Sequence, residues 1–382
     1  MKNLTGKKKW IIIVLAIVLA VLLVVAAVLA VLFGRNSDRQ NETTQTTNQT
    51  ATVETTEETT IETTVETEPL VLYRNPLTGA PLEEPYTGRV AAVVVNNLKD
   101  ALPQYGISQA DILYEFEAEG GITRFLALFT DLSDVAQVGP IRSIRSYFNN
   151  IGAAFDAPIV HCGGSVTGRQ GYYDYDNKLT SWEHIDQAYN GNYFFRDTDR
   201  YYYQGYNWEH TLFAKGPKLL EAFEKRKINM VNEEGVDYGF VFDDVAALEG
   251  EMAKTITVTF LGTKTTTMVY DEAAGKYMAE EYGSALIDGQ TEQQVGFENV
   301  LVVLADQTKK TPGRKTLSYY DMIGEGDGYL AIDGKITKIK WTRKTVEDPF
   351  VYTHADGTAV TFKVGTTYAG VIDTDGGSVK YK

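Results

Sequence analysis

The run Val138-Gly139-Pro140-Ile141-Arg142-Ser143-Ile144-Arg145-Ser146 carries the clearest chemistry in the chain. Proline suits the first position of a helix, because the N–H it lacks would be unpaired there anyway. The pattern predicts a helix over 141–154 opened by Pro140. The first turn of a helix presents unpaired N–H groups and a partial positive charge. Arg142 and Arg145, three apart, share a face of such a helix. A helix start with two guanidinium groups suits a phosphate, sulfate or carboxylate. The alternative is that both arginines pair with internal acids such as Glu115, Glu117 or Asp111.

A second candidate is His161-Cys162-Gly163-Gly164-Ser165, directly after the apolar run Pro158-Ile159-Val160. Strand ends often carry functional loops, and glycines let backbone N–H groups approach a ligand. His161 can serve as a general base, Ser165 as a nucleophile, and Glu115 or Glu117 as acids. The stretch is not a Gly-x-Ser-x-Gly elbow, because no glycine stands two after the serine. The alternative is a structural histidine at a strand end. Cys162 alternates with His161 and is expected to face the core. The four histidines have no ligand spacing and there is no His-Glu-x-x-His, so no metal centre and no cofactor are expected. Asp174-Tyr175-Asp176-Asn177 is a calcium candidate, or simply a solvated acidic turn. A single cysteine excludes an intramolecular disulfide and a cysteine-based zinc site.

Several elements must position these groups. Ala91-Ala92-Val93-Val94-Val95 and Arg124-Phe125-Leu126-Ala127-Leu128-Phe129 read as buried strands. Residues 110–117 fit a strand or a helix. Residues 218–228 have helical spacing. Beyond about residue 250, Thr255-Ile256-Thr257-Val258-Thr259-Phe260 alternates with period two, and strand-like runs follow at 300–304, 329–332, 336–341, 350–353 and 358–364. Asp333-Gly334 and Asp356-Gly357 mark turns between them. The expected fold is α+β: a mixed α/β domain at 70–235, then a mainly antiparallel β domain at 236–382. Residues 170–210 are dense in tyrosine, a residue that stacks on sugars or peptides but also fills cores.

The 382 residues hold 36 Lys plus Arg against 51 Asp plus Glu, a net charge of −15. That balance argues against general nucleic-acid binding, which needs a basic surface. The charge is uneven. Lys2, Lys7, Lys8 and Lys9 form a basic tail at 1–9, and 10–33 is an uncharged run of Ile, Val, Leu and Ala with one Trp and one Phe. As a helix it would span roughly 36 Å, enough for a bilayer core. The preceding lysines place the tail in the cytoplasm by the positive-inside rule, with Arg35 and Arg39 opposing. The run exceeds the apolar core of a cleaved signal peptide. No cysteine follows it until Cys162, which excludes bacterial-type lipidation there. A retained signal-anchor in the lipid bilayer is expected, with the rest extracytoplasmic. Residues 34–69, rich in Thr and Glu, read as a disordered stalk. Asn41-Glu42-Thr43 and Asn48-Gln49-Thr50 match glycosylation acceptors, a pattern common by chance in Thr-rich sequence.

Ordered motifs across 74–375 resemble the YerB-like family of bacterial lipoproteins, a two-domain family of unknown function. They include Asn75-Pro76-Leu77-Thr78-Gly79, Asn97 with Lys99, Gln104 with Gly106, Ala110-Asp111, Gly120-Gly121-Ile122-Thr123-Arg124 and Val138-Gly139-Pro140-Ile141-Arg142-Ser143. His161 with Gly163 and Ser165, Phe195-Arg196, Gly326-Asp327-Gly328, Asp333-Gly334-Lys335 and Trp341 continue the series. The resemblance implies an envelope protein and supplies no catalytic residues. The family's usual anchor is a lipid on cysteine, here replaced by an apolar span. Its Pro-His-Asn loop reads Trp208-Glu209-His210-Thr211 in this chain.

Three functions fit. The first is a binding module that takes an anionic envelope polymer or envelope protein in a pocket lined by Asn97, Lys99, Arg124, Arg142, Arg145 and Arg196. An acidic body repels polyanions at long range, so that pocket must be local and enclosed. The second is a hydrolase or transferase using His161. The third is a scaffold whose tyrosines dock a partner.

Overall fold

The computed structural model describes residues 73–165, 183–232, 236–260, 262, 264–311 and 316–382. The expected span at 10–33, the stalk at 34–69 and the acidic turn at 174–177 lie outside them. Among the described residues no helix is long and apolar enough to cross a membrane. Residues Pro69–Lys382 form one compact unit. It is mainly β, with helices α1 (Ser146–Ala154), α2 (Thr198–Tyr202) and α3 (Gly216–Arg226) among the described residues.

An eleven-stranded sheet runs through the whole unit. Its strands in chain order are β1 (Ala91–Asn97), β2 (Ile112–Glu117), β3 (Thr123–Phe129), β4 (Ile159–His161), β5 (His184–Asp186), β6 (Glu251–Met252), β7 (Asn299–Ala305), β8 (Gly324–Ile332), β9 (Lys335–Arg343), β10 (Val351–Thr353) and β11 (Thr367–Asp373). Across the sheet they lie β6-β9-β8-β7-β11-β2-β3-β1-β4-β5, with β10 also on β9. In this sheet the pairs among β6, β7, β8, β9 and β10 are antiparallel. One strand decides the architecture: β11 runs parallel to β7 on one side and to β2 on the other. The division expected at 235/236 is therefore bridged by backbone hydrogen bonds.

β1, β2 and β3 are apolar along most of their length because both faces of the sheet are covered. Val93, Val95, Leu113 and Phe125 pack with Leu219 and Phe223 of α3 and with Ile256, Val258 and Met268 of a second, six-stranded sheet. Ala92, Val94, Tyr114 and Phe116 pack on the opposite face with Tyr147, Phe148 and Ile151 of α1. Alternation thus sends odd-numbered residues of β1 to one core and even-numbered ones to the other.

The helix expected over 141–154 begins only at Ser146, with Arg145 as its extended N-cap residue. Residues 138–142 are held by strands instead. The Ile141 N–H donates to Leu212 O at 2.7 Å and the Arg142 N–H to Val94 O at 2.9 Å, while Pro140 O accepts from the Asn96 N–H at 2.8 Å. Backbone groups committed to neighbouring strands cannot start a helix. Pro140 therefore opens no helix, and Arg142 and Arg145 do not share a helical face.

The two halves also meet in a buried charge network on the odd-numbered face. Lys264 forms ion pairs with Glu281 and, at 3.1 Å, with Glu115. Asn97 Nδ2 donates to Glu115 at 2.9 Å and to Glu281 at 3.1 Å. Thr123 and Tyr368 hydroxyls donate to Glu115, at 2.5 and 2.8 Å. Thr266 Oγ1 lies within hydrogen-bond distance of both carboxylates. All these side chains are buried. Burial, then the neighbouring Glu115, pushes the Glu281 carboxyl up to about 7 against the pull of Lys264. Burial works against the Lys264 ammonium too, but the two carboxylates outweigh it and raise it to about 12.

Removing one partner of a buried pair leaves an uncompensated charge, a loss of about 3–5 kcal/mol. Lys264→Met should destabilise the protein by about that much in urea unfolding, and an unchanged midpoint would contradict the network. A carboxyl raised on folding makes stability fall as pH rises from its unfolded value toward its folded one. The stability difference between wild type and Glu281→Gln should therefore move against wild type between pH 4.5 and about 7. A pH-independent difference would show that Glu281 does not titrate there.

Candidate functional site

The even-numbered face of the same three strands carries the arginines. Arg124 on β3 stands between Asn96 of β1 and Phe116 of β2. The β2–β3 turn passes through Gly120 and Gly121, both at positive φ, and a Cβ on either would meet nothing. Conformation and not space requires glycine there. This turn carries Glu119. Arg145 forms an ion pair with Glu119, and Arg124 Nη2 lies 3.5 Å from the same carboxylate. Arg124 Nη1 donates to Ser143 O at 2.8 Å, and Arg145 Nη1 to Ile144 O at 2.6 Å. Both guanidinium groups are almost wholly buried. Among the described residues they share one carboxylate, and the Nε–H of each lacks a hydrogen-bond acceptor. Burial first, and Arg145 second, lower the Arg124 guanidinium below its usual value. Arg142 and Arg145 do pair with internal acids, as the alternative reading has it, but the acids are Glu209 and Glu119 and not Asp111, Glu115 or Glu117. Glu115 belongs to the lysine network, Asp111 caps Thr130, and Glu117 accepts from Gln307 and pairs with Lys309.

Arg142 and His161 are brought beside this cluster by backbone pairing. The Cys162 N–H donates to Arg142 O at 3.0 Å and the Ile144 N–H to Gly163 O at 3.1 Å. Arg142 itself pairs with Glu209 at 3.1 Å. His161 is fully buried, and its Nδ1 is 2.9 Å from Gly163 O. A carbonyl only accepts, so Nδ1 carries the proton. Nε2 then accepts from His184 Nδ1–H at 2.9 Å. Burial lowers the His161 imidazole to about 4. Ser165 is also buried. Glu115 and Glu117 lie across the sheet from His161, since β4 continues the alternation of β1.

The other expected site residues separate. Asn97 faces the lysine network, and Lys99 is exposed on a short 3-10 turn, Lys99–Ala101. Arg196 donates to Trp208 O at 2.6 Å, with its guanidinium 4.9 Å from the centre of the Trp208 ring. Cys162 packs partly against the core, as its alternation with His161 predicts, and burial raises its thiol.

The family description "Protein of unknown function (DUF3048) N-terminal domain" matches residues 77–229, and the corresponding C-terminal domain matches 256–369. The chain belongs to the DUF3048 family. It is 30% identical over 317 residues to a Bacillus subtilis protein named "Putative lipoprotein YerB", covering 80% of this chain and 88% of that one. The crystal structure of Bacillus subtilis YerB superposes with a TM-score of 0.66 at 27% identity, covering 80% of this chain and 99% of that one. The resemblance read from the sequence motifs is thus borne out.

Within this DUF3048 chain, the arginine cluster lies in the N-terminal family domain, whereas the lysine network draws on both. The sequence reading missed Glu119, Glu209, Lys264 and Glu281. Glu119 precedes a Gly-Gly turn between two core strands. Glu281 follows Tyr277 and Ala279 at the inward positions of Lys276–Glu281, so period-two spacing alone marks it as a buried acid.

A histidine held near 4 is protonated in fewer than about one ring in ten at pH 5.5. The His161 ring signal in NMR should therefore stay at its neutral position from pH 7.5 to 5.5. A midpoint near 6.5 would contradict this burial and tautomer assignment.

Proposed function

We propose that this protein holds an anionic component of the cell envelope at Arg124, Arg142 and Arg145, tethered by a membrane span at 10–33 and a stalk at 34–69, with the body outside the cytoplasm. The observation that carries the reading is the excess of guanidinium over carboxylate in the buried cluster. A buried charge without a partner is costly. A bound phosphate or carboxylate would lower that cost, and two Nε–H donors without acceptors would gain one. The body is acidic overall, so affinity would come from local contacts and not from long-range attraction. The extracytoplasmic placement is supported by the charge pattern around 10–33 and by the lipoprotein name of the relative.

A hydrolase or transferase reading has less support. Both ring nitrogens of His161 are engaged, and the acids considered for it lie on the other face of the sheet. A scaffold reading draws on the exposed Tyr201, Tyr202 and Tyr203.

Isothermal titration with a glycerol-phosphate oligomer and with a muramyl peptide tests the binding reading. At least one should bind. Arg142→Ala should weaken that binding about tenfold, the equivalent of about 1.4 kcal/mol. Arg142 is only partly buried, so the variant is expected to remain folded. Equal affinity of wild type and Arg142→Ala would remove the assignment.

A further inference from the structure

Helix α2 and the following turn expose aromatic rings that the core does not use. Tyr202 is 70% exposed, Tyr203 84%, Trp208 47% and Tyr201 41%. Tyr201 stands edge-on to Tyr202 at 5.0 Å and to Trp208 at 5.3 Å, so three rings form one contiguous surface.

The surface is firmly mounted from below. Asp197 caps α2 by accepting from the Asp199 and Arg200 N–H groups. The Arg200 side chain is buried beneath, donating to Ala101 O at 2.9 Å and Pro103 O at 3.2 Å. Its guanidinium stacks on Tyr206 at 4.0 Å, and the Tyr206 hydroxyl donates to Leu102 O at 2.6 Å. Arg196 pins Trp208 from the side. Rings exposed on a rigid mount lose little freedom on binding.

We propose that Tyr201, Tyr202 and Trp208 form a carbohydrate-stacking surface that takes the sugar rings of a glycan strand. Two observations favour a glycan over a protein partner. In the described stretch 183–232 every large exposed apolar side chain but Val231 is aromatic, and Val231 lies beyond α3, bridged to Gly88. The C–H face of a pyranose needs only flat rings with polar rims, which tyrosine and tryptophan supply without an aliphatic flank. The surface also adjoins charge: Glu209, next to Trp208, holds Arg142, and Arg196 lies against the ring. Joining this surface to the arginine cluster makes the ligand a glycan that carries phosphate or carboxylate groups. That last identification rests on the anion site proposed above; the stacking surface does not.

The test uses the full chain in a polyoxyethylene detergent, which contains no sugar. Chitohexaose, a neutral glycan, and a muropeptide of the same sugar type are titrated by saturation-transfer NMR and calorimetry. Chitohexaose should bind weakly, with at least fivefold loss in Trp208→Ala and in Tyr202→Ala, little loss in Tyr202→Phe and none in Arg142→Ala. The muropeptide should bind more tightly and lose affinity in both the aromatic and the arginine variants. Circular dichroism checks that each variant is folded; Tyr202, largely in solvent, can be replaced without loss of core. If neither glycan binds, or if both bind equally to wild type and to folded Tyr202→Ala and Trp208→Ala, the stacking surface is overturned. Self-association that Trp208→Ala abolishes, without glycan binding, would point to a protein partner and overturn it too. If the aromatic variants matter and Arg142→Ala does not affect the muropeptide, the stacking surface stands and the anion site falls.

Discussion

One lysine between two carboxylates, all three buried, is the constraint on which the rest of the molecule depends. Glu281 comes from the six-stranded sheet, Lys264 directly precedes its strand Thr265–Asp271, and Glu115 comes from β2 of the large sheet. None can be left alone in an apolar interior without a large loss. The arrangement is satisfied only when Asn97, Thr123, Thr266 and Tyr368 supply their hydrogen bonds, and those residues come from four different strands. Register is thereby fixed across the junction, since a one-residue slip would turn each of these groups to the other face.

The same slip would dismantle the candidate site. Thr123 faces the lysine network and Arg124 the arginine cluster. Asn97 faces the first, and Asn96 binds His210 at 3.0 Å on the other side. The strand ends of β1, β2 and β3 are thus the floor of both clusters. On one side two acids outnumber a lysine, and the interior responds by raising the Glu281 carboxyl. On the other, two arginines face one glutamate. A guanidinium cannot shed its proton near neutral pH as a carboxylic acid can take one up. Glu119 compensates one of the two charges, and the positive excess that is left is the physical basis of the proposed anion binding.

Much of this was legible in the sequence. The apolar runs of β1 and β3 read correctly because both faces of the sheet are covered, and the period-two run at 255–260 matches the strand Thr255–Thr259. The family resemblance rested on scattered motifs that turn out to lie largely at turns and strand ends. The helix start failed for a specific reason: Pro140 looks the same whether the chain coils after it or lies along β1, and only the tertiary partners Val94, Asn96 and Leu212 decide. The partners of the arginines were unreadable because pairing across a sheet depends on turn geometry at Gly120-Gly121. The parallel insertion of β11 between β7 and β2 has no local signature at all, since it is a long-range choice.

That insertion, with the lysine network behind it, makes the two family domains one cooperative body, and this can be measured directly. With fluorotryptophan incorporated, the 19F signals of Trp208 in the N-terminal half and Trp341 in the C-terminal half report separately during urea unfolding. Shared hydrogen bonds and a shared buried charge predict one transition with a common midpoint for both signals. Two separated midpoints would mean that the halves fold independently, and that the junction does not hold the site.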